Sequence, residues 1–201
     1  MIAIIDYDAG NLNSAYKALV HLGKEPVITR EKDSILAADH IILPGVGAFG
    51  EAMKQLRAFG IPEVLREAVG RGIPLMGICL GMQLLFDDSE ESPGASGLGI
   101  VQGSIVKIPA ADGLKIPHMG WNSLEKQKES RLLDGLADGT EVYFVHSYYL
   151  EPGKEEIVAA RTEYGTSMAV AVESGNVFGC QFHPEKSGSR GLKILENFVN
   201  A

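Results

Sequence analysis

The chain has 201 residues, 45% of them hydrophobic and 22% charged, with a formal net charge of −8 at pH 7. That composition fits one domain, spanning 1–201, with a substantial core of its own. The acidic balance excludes the basic patches that nucleic acid or an anionic membrane surface would need.

The N-terminal MIAIIDYDAG has no basic lead and too short an apolar stretch for a signal peptide, and it reads as a first strand. NLNSAYKALVHLG follows as a helix, with apolar residues at Leu12, Ala15, Leu19 and Leu22 and a closing Gly23. PVIT and HIIL are short apolar strands separated by the brief helical segment EKDSILAAD. AFGEAMKQLRAF and IPEVLREAVG carry helical patterns, the second with Pro62 near its start. PLMGI is a continuous apolar run, as a strand covered on both faces should be, and LGMQLLFD continues it as a helix. This alternation predicts an α/β fold whose central sheet is mostly parallel, with helices on both faces. The longest apolar-rich run, IPLMGICLGMQLLF, is broken by glycines and too short for a membrane span, so a cytoplasmic location is the default expectation.

After Asp88 the texture changes. ESPGASGLG is a turn-rich connection, and GIVQGSIVKI, EVYFVHSYYL, EIVAARTEY, SMAVAVES and NVFGCQF read as strands. Several of them are expected to pair antiparallel and extend the parallel sheet, before GLKILENFV closes the chain as a helix.

LPGVGAFG places Gly45, Gly47 and Gly50 in the spacing of a dinucleotide-binding loop. That fingerprint wants an acidic residue about 20 positions on, at the end of the next strand. Glu63 and Glu67 lie instead inside a helical pattern, and the next strand ends at Gly77-Ile78-Cys79. Neither NAD nor another cofactor is expected.

GICLG sits where a buried strand turns into a helix, in the nucleophile-elbow pattern with Cys79 at its centre. The flanking glycines suit a turn too crowded for a Cβ. A thiol at a helix N-terminus is favoured as thiolate, below the ordinary pKa of about 8.5. The competing reading is a packed core cysteine, the usual fate of a lone one. In QFHPE, His183 and Glu185 stand two apart, and an extended backbone would point both the same way. Glu185 then accepts from one imidazole nitrogen and leaves the other to take a thiol proton. Cys180 with His183 is a CxxH pair, but no second ligand pair accompanies it, so no metal site is expected. Cys180, in an alternating strand, reads as structural. His21 and His40 have no neighbours that suggest chemistry.

LPGVGAFG, GICLGMQLLF, YFVHSYY and QFHPEKS occur in one order along nearly the whole chain. In that order the sequence resembles the class I, triad-type glutamine amidotransferases, whose fold is flavodoxin-like. IDYDAGNLNS, the PGVGAFG form of the loop and PHMGWNSL resemble, within that family, the glutaminase subunits of imidazole glycerol phosphate synthase. One departure is Asp8, where the family's first loop is expected to carry glycine.

The resemblance implies hydrolysis of L-glutamine to glutamate and ammonia through a thioester on Cys79, with His183 as acid and base and Glu185 orienting the imidazole. It implies oxyanion donors on the backbone N–H of Val46 and Leu80. It implies glutamine contacts from Gln83 and from backbone groups near Gly47, Ser147 and Tyr148. It further implies a heterodimer with a (β/α)8 cyclase subunit, meeting it through His118, Met119, Trp121, Asn122 and Lys186. Read without the resemblance, Gln83 is an ordinary solvated helix position, HSYY an ordinary strand and Trp121 a residue that suits core or interface. Because Val46 lies between two glycines, its peptide is expected to rotate at low cost, so that the oxyanion hole forms only with the partner bound. A glutaminase of another synthase, or a γ-glutamyl thiol hydrolase, is the alternative on the same fold.

Overall fold

Residues Ile2–Ile5 (β1) are buried along their whole length, and they alternate between two cores: Ala3 and Ile5 face one, Ile2 and Ile4 the other. In the computed structural model residues 1–8 and 11–201 are described; Ala9 and Gly10 of the IDYDAGNLNS motif lie outside them. After β1 the chain forms Leu12–His21 (α1), Pro26–Thr29 (β2), Lys32–Leu36 (α2) and His40–Gly45 (β3). Phe49–Ala58 (α3), Ile61–Gly70 (α4), Leu75–Cys79 (β4) and Leu80–Leu84 (α5) follow. The second half contains Asp88–Ser89 (β5), Gly103–Lys107 (β6), His118–Ser123 (β7), Glu125–Lys126 (β8) and Glu141–His146 (β9). Tyr148–Pro152 (β10), Val158–Glu163 (β11), Ser167–Ser174 (β12), Val177–Cys180 (β13) and Gly188–Phe198 (α6) complete it.

The main sheet runs β2-β1-β3-β4-β13-β12-β10-β6-β5, with β11 on β12 and β8 on β11. Its first five strands are parallel, and from β12 onward antiparallel pairing takes over, except that β5 lies parallel to β6. The expected parallel sheet with an antiparallel extension is therefore the observed one. Ile35, Met53, Leu56 and Leu65 seat α2, α3 and α4 on one face; Leu19, Ile194 and Phe198 seat α1 and α6 on the other. Helices this short are marginal in isolation, below about 12–15 residues, so burial holds them. Each such side chain contributes about 1.5–3 kcal/mol relative to exposure. Among the described residues no helix is long and apolar enough to cross a membrane.

Two expectations differ from the structure. EVYFVHSYYL is two strands: β9 pairs with β7 in a separate ribbon, and β10 pairs with β6 and β12 in the main sheet. Val142, Phe144, His146 and Leu150 are all buried, so the alternation keeps its parity across Ser147 and hides the break. LGMQLLFD stops being helical at Leu84. The carbonyls of Leu84, Leu85 and Phe86 are taken by the N–H groups of Leu98, Ile100, Val101 and Gly99, so the glycine-rich connection replaces the next helical turn.

Candidate active site

The carboxyl ends of β3, β4 and β13 lie side by side, with Gly45 opposite Cys79 and Cys180 opposite Ile78. Ligand sites in open α/β sheets form at such ends. At the end of β4 the backbone turns sharply, leaving Cys79 at φ 55° and ψ −114°. A non-glycine residue there stores about 1–3 kcal/mol of strain, held by its surroundings. Those surroundings need the two flanking glycines. A Cβ on Gly77 would lie 2.6 Å from the backbone of Met82, and one on Gly81 only 1.8 Å from the Leu43 carbonyl oxygen.

His183 follows β13 and is fixed by its own backbone: its N–H donates to the Tyr143 carbonyl at 2.9 Å, and its carbonyl accepts from Ser187 Oγ at 2.7 Å. Nδ1 pairs with Glu185 Oε1 at 2.8 Å, both side chains being 1% exposed. The chain reaches Glu185 through a tight 3-10 turn, Pro184–Lys186, and not through the extended backbone expected from the sequence. Among the described residues His183 Nε2 completes no hydrogen bond. Burial opposes charge on this imidazole, but the Cys79 sulfur and the Glu185 carboxylate beside it outweigh burial and raise its pKa to about 9.

Sequence reasoning missed a further neighbour. Asn11 Nδ2 donates to Glu185 Oε1 at 2.8 Å. Asn11 precedes α1 at φ 73° without capping it, so its side chain is spent on the carboxylate. Asp8, in the same loop, stands at φ 63°, the left-handed region that explains the glycine expected there. Arg30 holds it, donating to Asp8 Oδ1 and to Asp6 Oδ2 at 2.7 Å each.

Val46, Gly47, Leu80, Gln83, Ser147 and Tyr148 line one cleft of about 400 Å³ together with Cys79 and His183. That volume suits a small ligand. Gln83 is buried, not solvated, and its Nε2 donates to the Tyr148 carbonyl at 3.1 Å and to Gln181 Oε1 at 2.9 Å. The Tyr148 carbonyl also pairs with His146 Nδ1 at 2.9 Å, so both its lone pairs are occupied. Only glycine fits at position 45, since a Cβ there would lie 2.6 Å from the Tyr7 hydroxyl; Gly47, at φ 100°, stands in open space. Beyond it, the start of α3 is closed from within. Phe49 N–H donates to Glu91 Oε2 at 2.7 Å and Gly50 N–H to Ser92 Oγ at 3.0 Å, where a dinucleotide phosphate would otherwise sit.

The β7–β9 ribbon forms the outer wall. Met119 pairs with Val145 and Trp121 with Tyr143, and Met119 and Trp121 are 62% and 54% exposed. Lys186 is exposed as well. His118 corrects the expected interface: it points to the other face of β7, is 3% exposed, and stacks on Phe144 and Tyr164. Asn122, on that same face, is half-buried and donates to the Glu163 carbonyl at 3.0 Å.

A chain of hydrogen bonds fixes the tautomers behind the ribbon. The Tyr148 carbonyl can only accept, so His146 Nδ1 carries the proton and His146 Nε2 accepts from His118 Nδ1 at 2.9 Å. Burial pushes His118 down to about 4 and His146 down to about 3. Both folded values lie below the ordinary imidazole value of about 6.5, so the unfolded chain binds more protons and stability rises with pH. This contribution is present above that ordinary value and is lost as pH falls toward the folded values. Denaturant unfolding should show a loss of about 2 kcal/mol from His146 between pH 7 and pH 5, the slope approaching about 1.4 kcal/mol per pH unit only well below the ordinary imidazole value. His146→Gln should flatten the dependence; an unchanged slope in that variant would refute the assignment.

Among the described residues no group of three or more His, Cys, Asp or Glu side chains is arranged to hold a metal ion. Cys180 is fully buried in the core, and burial pushes its thiol well up. A buried thiol, an imidazole with a free Nε2 and a carboxylate on its Nδ1 can together perform nucleophilic acyl transfer.

Residues 3–201 match the family model of class-I glutamine amidotransferases. The chain belongs to that family. Among the amidotransferase relatives, imidazole glycerol phosphate synthase subunit HisH of Moorella thermoacetica is 51% identical over 98% of this chain and 93% of that protein. The subunit of the same name from Bacillus cereus strain G9842 is 52% identical over 98% of this chain and 93% of that protein. A crystal structure of a glutamine amidotransferase superposes with a TM-score of 0.78, covering 100% of this chain and 98% of the other at 24% identity. At that identity it bears on the amidotransferase fold alone.

Proposed function

We propose that this chain hydrolyses L-glutamine to glutamate and ammonia and passes the ammonia to the (β/α)8 cyclase subunit of imidazole glycerol phosphate synthase. The two form a heterodimer serving L-histidine biosynthesis. The observation that carries this reading is Cys79 and His183 in one cleft, with Glu185 on the imidazole Nδ1, in a chain 51% and 52% identical to subunits of that name.

In this reading the Cys79 sulfur attacks the side-chain amide carbon after its proton moves to His183 Nε2. The imidazolium returns that proton to the departing ammonia, leaving a glutamyl thioester. Water activated by His183 then releases glutamate. Glu185 keeps Nδ1 protonated and the ring aimed. The backbone N–H groups of Val46 and Leu80 stabilise the oxyanion. Gln83, Gly47, Ser147 and Tyr148 position the substrate, the part of Tyr148 falling to atoms other than its saturated carbonyl. Ammonia is mostly ammonium at neutral pH and then no nucleophile, so a sheltered transfer to a docked partner is required. Met119, Trp121 and Lys186 form the partner-facing patch, with Asn122 at its edge and His118 behind it. An exposed Trp beside an exposed Met suits the centre of an interface.

Glutamate and ammonia release, measured with the subunit alone and with the cyclase and its nucleotide ligand, tests the reaction and the partner together. Glutamine should be hydrolysed, and the partner should raise the rate by about 10²–10³, the worth of one oxyanion donor brought into line. Equal rates with and without the cyclase would remove the gating role of the Val46 loop. Preference for γ-glutamyl peptides over glutamine would replace the reading with that of a γ-glutamyl hydrolase.

A further inference from the structure

We propose that Gln181 is a catalytic residue of this site, its carboxamide N–H donating to Cys79 Sγ and favouring the thiolate over the thiol. The inference deepens the glutaminase reading above, which supplies the reaction in which that thiolate serves.

Gln181 directly follows β13 and is 0% exposed, and its backbone N–H donates to the Val170 carbonyl at 2.9 Å. A carboxamide so deeply buried needs partners, because an unpaired one costs several kcal/mol, about 2–7. It has two. Its Oε1 accepts from Gln83 Nε2 at 2.9 Å, and its Nε2 lies 3.7 Å from Cys79 Sγ, within hydrogen-bonding range of sulfur.

The orientation of the amide follows from the network. Gln83 donates to the Tyr148 carbonyl, which has no hydrogen to give, so that end of Gln83 is its NH₂. The second hydrogen of the same NH₂ points to Gln181, which must present oxygen to it. The NH₂ of Gln181 is thereby committed to the sulfur. One main-chain carbonyl sets the direction of the whole chain.

The other polar contact of Cys79 works the opposite way. Sγ lies 3.9 Å from the Val145 carbonyl, which can only accept and so favours the protonated thiol. The elbow helix α5 has five residues, too few to be relied on for a strong dipole. Among the described residues Gln181 is the neutral side-chain donor on the sulfur. When glutamine reacts, the thiol proton passes to His183 Nε2, the negative sulfur accepts the Gln181 N–H, and the charge moves to the amide oxygen as the C–S bond forms. No other group is consumed.

The test is the pH dependence of Cys79 alkylation by iodoacetamide on the full chain, with Cys79→Ser as the blank for the buried Cys180. Gln181→Met, close in volume and without a donor, should move the alkylation midpoint up by about one pH unit, the worth of one charged hydrogen bond. In the complex with the cyclase it should lower kcat for glutamine about tenfold at pH 7. Gln181→Leu, of different shape, should shift the midpoint the same way. A purely structural role would lower Tm and scale the rate equally at every pH without moving the midpoint. An unmoved midpoint in either folded variant overturns the proposal.

The unaltered protein gives an independent reading. The Gln181 side-chain amide resonances should titrate with the alkylation midpoint and stop titrating in Cys79→Ala. Resonances that ignore thiol ionisation overturn the proposal even if neither variant folds. Alkylation needs no glutamine, so loss of the glutaminase reading and loss of the Gln181 role are separate outcomes.

Discussion

Cys79→Ser is expected to lower glutamine hydrolysis by the cyclase-bound subunit by ~10⁴-fold or more while the fold survives. Removal of a nucleophile from a working triad has effects of that order and above. The serine keeps the size of the side chain and inherits the φ of 55° and ψ of −114° at no new cost, so the elbow stays intact. What changes is the ionisation partner. A hydroxyl is a far weaker acid and nucleophile than the thiol, which together with Glu185 raises the His183 imidazole to about 9 against the opposing effect of burial. Activity should be read as glutamate formed in the complex, and stability as the denaturant midpoint. If Cys79→Ser retains a tenth or more of the glutaminase rate, covalent catalysis at this residue is wrong.

Gly81→Ala is the substitution expected to damage the fold most. Its Cβ would sit 1.8 Å from the Leu43 carbonyl oxygen and 2.8 Å from the Leu43 carbonyl carbon. Leu43 lies in β3 opposite Gly77, inside the parallel ladder, and moves only if that ladder breaks. Overpacking against immobile backbone costs about 3 kcal/mol, toward the high end for such changes. Gly70→Ala is the matched control. Nothing lies within 4 Å of a Cβ at Gly70, which ends α4. There alanine should be neutral or should add up to about 1 kcal/mol. Denaturant unfolding separates the two, and equal midpoints would show that the elbow does not depend on that close approach.

The parallel half of the fold was legible because its signals are local. Continuous apolar runs, helical periodicity and the glycines around Cys79 each speak within about a dozen residues. QFHPE was legible for the same reason, although the turn that joins His183 to Glu185 is tighter than an extended reading allows. What stayed hidden depends on register between distant segments. Asn11 meets Glu185 across 174 positions and Gln181 meets Cys79 across 102, and no pattern in either segment announces the other. Gln181 stands two places before His183 in the quoted motif, which was its only signal. The burial of His118 was invisible for a related reason: β7 pairs with β9, and that pairing decides which alternate residues face inward. The split at Ser147 escaped because the buried positions keep their parity through it.

Val145 belongs to two surfaces at once. Its side chain lies beside the exposed Met119 on the outer face of the ribbon, and its carbonyl lies 3.9 Å from the Cys79 sulfur. The barrier between the thiol and the exterior is therefore a single layer of polypeptide, thinner than the roughly 10 Å that separates two packed sheets. A molecule released at Cys79 toward that side has no hydrophobic core to cross. It has one strand to get past, and the exposed Met119 and Trp121 lie on the other side of it.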